Sequence, residues 1–182
     1  SYSYLVSVRS MAKQIFSQLG IVQFNLPAVE LRLPQKKWQS FGEQIVRPLR
    51  FYTALEASRL SIDPQLMHIE TTFAGTVVDV LQQRPNNRPL VIYFIYEHRD
   101  VPDELVDPDL NADVLKIDLR HATHLFSSRS ATTFIHRLTD FLLNDLVSKS
   151  WRPCPAGASH PQAEDGLPGF RQLPSPDRKS VV

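Results

Sequence analysis

The chain has 182 residues, 42% of them hydrophobic and 21% charged, which is the composition of one globular domain with a core of its own. Its formal net charge of +1 excludes recruitment to nucleic acid by bulk charge and leaves only a local basic face for that purpose. The lone cysteine, Cys154, excludes an internal disulfide framework and a cysteine-based zinc site, and makes a reducing, cytoplasmic setting the expectation.

The opening SYSYLVSVRS is readable as a strand or as an extension upstream of Met11, so residues 1–28 stay an unassigned segment. Residues 11–20 predict a short helix ending at Gly20. IVQFNL has strand composition, and VELRL (29–33) alternates like an edge strand before Pro34. From Gln35 the period changes. Trp38, Phe41, Ile45 and Leu49 recur at helical spacing, so QKKWQSFGEQIVRPL predicts an amphipathic helix that Gly42 weakens and Pro48 ends or kinks. FYTALEASRL continues it for a turn or two. His68–Phe73 and Gly75–Gln82 predict strands, the second with Val77, Val78, Val80 and Leu81 around Asp79. RPNNRP (84–89) is a turn in which Asn86 and Asn87 tolerate left-handed backbone.

Leu90–Tyr96 is almost continuously apolar, which predicts a central strand buried on both faces. VPDELVDPDLNA (101–112) is a polar connector with room for one helical turn, and Val114–Leu119 is a further strand. Strand, crossover and strand suggest parallel pairing, although the crossover is short for it. Ser130 caps a helix in which Phe134, Leu138, Phe141 and Leu142 form one apolar face. Beyond Trp151, residues 152–182 are rich in Pro and Gly, lack periodicity and predict a disordered tail. Its last residues, Asp177–Val182, match the translation of a common sequencing-library adapter, so the expectation is that this end is partly an assembly artefact. No apolar run reaches the length of a membrane span, and no membrane partner is expected.

The candidate chemistry is carboxylate chemistry. Glu70, Asp79, Glu97, Asp113 and Asp118 lie on or beside the predicted strands, where metal-dependent nucleases hold hard cations. A carboxylate inside a Val-rich strand faces solvent, a partner or a metal, and Asp79 is in that position. His121 and His124 are three apart, with no third ligand spaced to complete a zinc site. There is no Gly-rich phosphate loop and no Gly-x-Ser-x-Gly elbow, so no small-molecule cofactor is expected. Lys36, Lys37, Arg47, Arg50 and Arg59 form either a basic patch for nucleic acid or an ordinary solvated helix face.

In order and spacing, LVIYFIYEHR, connector and VLKIDLR resemble the core of the competence-protein CoiA-like predicted nucleases, members of the PD-(D/E)XK superfamily. Val78-Asp79 is similar to that family's Asp strand, Glu97-His98 to its Thr-His, and Ile117-Asp118-Leu119 to its last strand. Lys149-Ser150-Trp151-Arg152-Pro153 is similar to its Lys-x-Trp segment, and Trp38–Val46 to its first helix. The resemblance covers about residues 35–153 and implies a restriction-endonuclease-like α/β core, a small mixed sheet flanked by helices, over 29–151. It also implies Mg²⁺ as the cofactor of an active enzyme, with Asp79 and Glu70 as catalytic and metal-binding residues, completed by Glu43 or Glu97. DNA is the implied partner, through Lys36, Lys37 and Arg47. The family's metal-binding Glu falls at Tyr93, its helix His and Lys at Gln39 and Glu43, and its E-x-K run at Tyr93-Phe94-Ile95. One carboxylate is a poor Mg²⁺ site. The expectation is therefore a DNA-binding or DNA-processing domain with impaired catalysis, and the alternative is a non-enzymatic structural or interaction domain.

Overall fold

A computed structural model describes residues 2–32, 37–40, 43–46, 51–127 and 131–152. The chain opens with a helix, α1 (Tyr2–Gln18), which takes in both the segment left open above and the short helix expected after it. Leu5, Val8, Ala12, Ile15 and Phe16 recur at helical spacing and are all buried, so α1 presents one apolar stripe to the core.

The strands β1 (Val22–Leu26) and β2 (Val29–Arg32) form where the sequence places them. The amphipathic helix expected from Gln35 does not form. In its place β3 (Lys37–Ser40) pairs antiparallel with β4 (Glu43–Val46), and Trp38 stands opposite Ile45. The expected helical continuation is likewise two strands, β5 (Phe51–Leu55) and β6 (Ser58–Ile62), which pair with β2 and β1. The three antiparallel pairs nest in sequence and form three two-stranded sheets. A helix here carries about 1 kcal/mol of penalty at Gly42, and the flanking strands supply the pairing partners that a local reading of period does not weigh.

The main sheet comprises β7 (Met67–Phe73), β8 (Thr76–Gln82), β9 (Leu90–Ile95), β10 (Asp113–Asp118) and β11 (Lys149–Trp151), in the order β11-β10-β9-β8-β7. β7, β8 and β9 form an antiparallel meander. Ala74 and Gly75, at φ 51° and 81°, close its first turn, a pairing of left-handed residues that matches the twist of a hairpin. Asn86 takes φ 59° in the second turn. The chain then crosses through one helical turn, α2 (Asp103–Val106), and returns as β10 parallel to β9, with Leu115 beside Ile92. The fold is mixed α/β.

The near-continuous apolar run of β9 is explained by its two covered faces. Leu90, Ile92 and Phe94 join α1 and the helix α3 (Ala131–Asn144) in the larger core, with Val80, Leu115, Ile117, Leu138 and Leu142. Val91 and Tyr93 join Leu105 of α2, Val78, Leu81 and Val114 on the other side. Residues 2–26 thus share a core with the main sheet.

The Lys-x-Trp segment is a clasp made by β11. The Lys149 Nζ donates to the carbonyls of Asn25 (2.7 Å) and Leu143 (3.0 Å). Trp151 Nε1 donates to Pro27 O at 2.9 Å. The buried Arg152 guanidinium donates to the carbonyls of Leu105, Asp107 and Leu110, which fixes the crossover after α2. A second tie is the buried Asp113, held by Arg84 (2.5 Å) and Arg88 (2.7 Å), which anchors the β8–β9 turn to the start of β10.

Burial pushes Lys149 down to about 7, against the attraction of Asp145. The free value is 10.5, so between about pH 7 and 10.5 the unfolded chain binds the extra proton. Stability from this group therefore rises with pH across that window and is at its lowest below it. Urea denaturation of the wild type and of Lys149→Met should differ in slope there, and equal slopes would refute the buried amine.

Candidate functional site

Asp79 lies mid-strand in β8, where the alternation of faces slips. Val78 and Leu81, three apart, face α2, while Val80 faces α1. The β7–β8 register is constant on both sides of this level, but the ladder skips the Glu70–Asp79 position. Ile69 pairs Val80 and Thr71 pairs Val78, while Glu70, between them, takes φ 51°. On the other side the β8–β9 ladder ends at Val80 and Ile92. Past that point the Asp79 side chain supplies what a backbone carbonyl would: Oδ2 accepts the Phe94 N–H at 2.8 Å.

The carboxylate is completely buried, at 0% exposure. A buried charge is tolerated only when paired and hydrogen-bonded. Two arginines meet that need. From α1, Arg9 Nε donates to Oδ1 at 2.7 Å. From the other end of β9, Arg99 Nη1 donates to Oδ2 at 3.1 Å and Nη2 to Oδ1 at 3.4 Å. The same Arg99 Nη1 donates to the Phe94 carbonyl oxygen.

Arg99 reaches this position because the chain reverses sharply after β9. Tyr96 and Arg99 exchange two backbone hydrogen bonds, of 3.0 and 2.9 Å, across Glu97 and His98. His98 closes the turn at φ 65°. The guanidinium carbon then stands 3.9 Å over the Tyr93 ring, a stacking that holds the fork in plane. Burial holds the Tyr93 hydroxyl above its usual range, against the pull of Arg99.

Glu70 is displaced from this cluster. Its carboxylate is 59% exposed and takes a 3.0 Å bond from Lys13, one helical turn after Arg9 on α1. That bond and the Lys13 charge hold it below the usual carboxylate range. The other candidates are spread around the sheet. Asp113 belongs to the Arg84–Arg88 tie. Asp118, at the end of β10, is bonded by Arg120 at 2.6 Å, and this outweighs burial and keeps it low. Glu97 and His98 are exposed in the turn, 3.5 Å apart. His121 lies 3.9 Å from Asp118. Lys37 stands on β3, not on a helix, and Lys36, Arg47 and Arg50 lie outside the described residues, as does the Pro-rich tail from Pro153. Glu43 is on β4.

These residues do not fit a divalent ion. Both oxygens of Asp79 are engaged by cations or an N–H, the position beside it on β9 is a tyrosine, and Glu70 is salt-bridged to Lys13. Among the described residues no group of three His, Cys, Asp or Glu side chains could hold a metal ion. An ion of near-octahedral demand finds one saturated carboxylate. What the arrangement does offer is a fixed cluster of Arg9 and Arg99 on the buried Asp79, with the separate Lys13–Glu70 pair one helical turn along α1.

Sequence reasoning singled out Asp79 and missed Arg9 and Lys13, which stand four apart on a helix and carry no motif. Arg99 was visible as the end of the Glu97-His98-Arg99 run, but its inward turn was not. No protein-family model matches the chain, and no curated protein or solved structure matches it. No helix among the described residues is long and apolar enough to cross a membrane.

Replacing Asp79 by Ala leaves Arg9 and Arg99 facing each other without their shared carboxylate. The expected cost is about 3–5 kcal/mol in urea denaturation. A loss below about 1 kcal/mol would show that the cluster is solvated and not a buried pair.

Proposed function

We propose that the chain is a nuclease-like α/β domain for DNA binding or processing in which divalent-ion hydrolysis is impaired. The topology supports the nuclease-like part. A meander of three antiparallel strands, then a crossover into a fourth strand parallel to the third, is compatible with the small mixed core that the PD-(D/E)XK resemblance implies. Asp79 stands in the second strand of that meander and Tyr93 in the third.

The single observation that carries the impaired part is the state of Asp79. A catalytic carboxylate in such a site must offer an oxygen to Mg²⁺, which in turn activates water. Here Arg9, Arg99 and the Phe94 N–H already claim the carboxylate, and Tyr93 supplies no second one. Tyrosine cannot take over that charge. Mg²⁺ has a role only in an enzyme that first frees Asp79 Oδ2 from Arg99.

The same saturated carboxylate favours a second reading, a non-enzymatic structural or protein-interaction domain. The two readings differ in DNA binding. In the first, duplex or single-stranded DNA shifts fluorescence polarisation, and the combined Lys36→Ala, Lys37→Ala and Arg47→Ala variant binds more weakly, with a shallower salt dependence by about one unit per lost phosphate contact. Plasmid and single-stranded DNA should stay uncut with Mg²⁺ or Mn²⁺. Cleavage that Asp79→Ala abolishes would reinstate an active nuclease. Absence of DNA binding at low salt would leave the interaction domain.

A further inference from the structure

We infer that the Arg99 guanidinium is the built-in cation of this site, occupying a position that two hard oxygen donors of the chain define. The inference deepens the nuclease-like reading and rests on it. Three observations converge. First, one nitrogen, Arg99 Nη1, is shared by the Asp79 carboxylate and the Phe94 carbonyl, oxygens from two neighbouring strands. A carboxylate and a backbone carbonyl are the donor types that hard divalent ions use. Second, the backbone is shaped to bring a cation there. The ladder between β8 and β9 stops at Val80 and Ile92, and the turn through His98, at φ 65°, folds Arg99 back over the end of the strand it has just left. A left-handed backbone at a non-glycine residue is costly and persists where surrounding contacts require it. Third, the guanidinium is pinned by its stacking on Tyr93, the residue at which the resemblance implies a carboxylate.

The contrast with Asp113 sharpens the assignment. Asp113 also has two arginines, but Arg84 spends its Nε on the Arg88 carbonyl and ties a turn to a strand start. Arg99 instead spans the gap between two strands with its positive charge. Arg9 satisfies the remaining oxygen of Asp79 from outside the sheet, at 21% side-chain exposure. Lys13, one helical turn further along α1, is neutralised by Glu70 and adds no net charge. The site therefore carries its positive charge permanently, without drawing a divalent ion from solution.

The test measures thermal unfolding by circular dichroism at matched ionic strength, with EDTA, Mg²⁺, Mn²⁺ or Ca²⁺. The wild-type Tm should be indifferent to all four. Arg99→Ala should unfold at lower temperature and gain about 3 °C or more with saturating Mn²⁺ or Ca²⁺, because an ion that binds only the folded state stabilises it. Arg99→Lys, which restores a point charge, should recover part of the Tm and show no divalent response. The double variant Asp79→Asn with Arg99→Ala should lose the response. An Arg99→Ala protein that folds only with Mn²⁺ supports the inference. One that no divalent ion restores, or that responds no more than the wild type, overturns it. DNA binding is read separately, so loss of the nuclease-like reading and loss of the built-in cation give different results.

Discussion

A carboxylate taken completely out of water must collect positive charge and N–H donors from whatever the chain can bring to it. Asp79 imposes that condition on three elements at once. It requires α1 to lie with Arg9 over β8, it holds the Phe94 N–H where the ladder has ended, and it requires the chain after β9 to reverse so that Arg99 returns. The apolar stripe of α1, the break in strand alternation and the left-handed His98 are all consistent with this one constraint. Removing one partner of such a cluster costs more than the contact appears to contribute, because the others are left charged in a poor solvent.

The rest of the architecture repeats the device with backbone acceptors. Arg152 is buried, and its guanidinium bonds to three carbonyls of the crossover. Lys149 does the same for the ends of β1 and α3, with the Phe24 ring 3.8 Å from its Nζ. Lys149 and Trp151 of β11 thus join segments more than a hundred positions apart in sequence. A short edge strand becomes the point at which the end of β1, the crossover and the last helix are held to the sheet. Buried amine and guanidinium donors capping carbonyls are specific in geometry, so they fix the register of β11 as well as its presence.

For function, the consequence is a division between scaffold and chemistry. The meander with its parallel return strand supports a nuclease-like reading, and the Asp79 cluster supports a centre that does not rely on divalent ions. Fold alone does not fix chemistry, which has to be argued from the site. Arg99 supplies positive charge to a carboxylate and a carbonyl that two neighbouring strands bring together.

Parts of this were legible in the residues alone. The near-continuous apolar run of β9, the Val-rich β8, the turn between them and the face of α3 were determined by sequence, because burial on one or two faces leaves a periodic signature. Asp79 stood out for the same reason, as a charge inside an apolar run. The stretch from Lys37 to Ile62 was not legible: Trp38, Phe41, Ile45 and Leu49 fit a helical period, but β3 pairs with β4, and β5 and β6 draw on partners at Val22–Arg32. The identity of Asp79's neighbours was also closed to the sequence, since Arg9 is 70 residues away and Arg99 is 20. Periodicity reports which face of an element is buried, whereas which charges meet depends on how elements cross. Only the tertiary structure decided that the carboxylate meets two arginines.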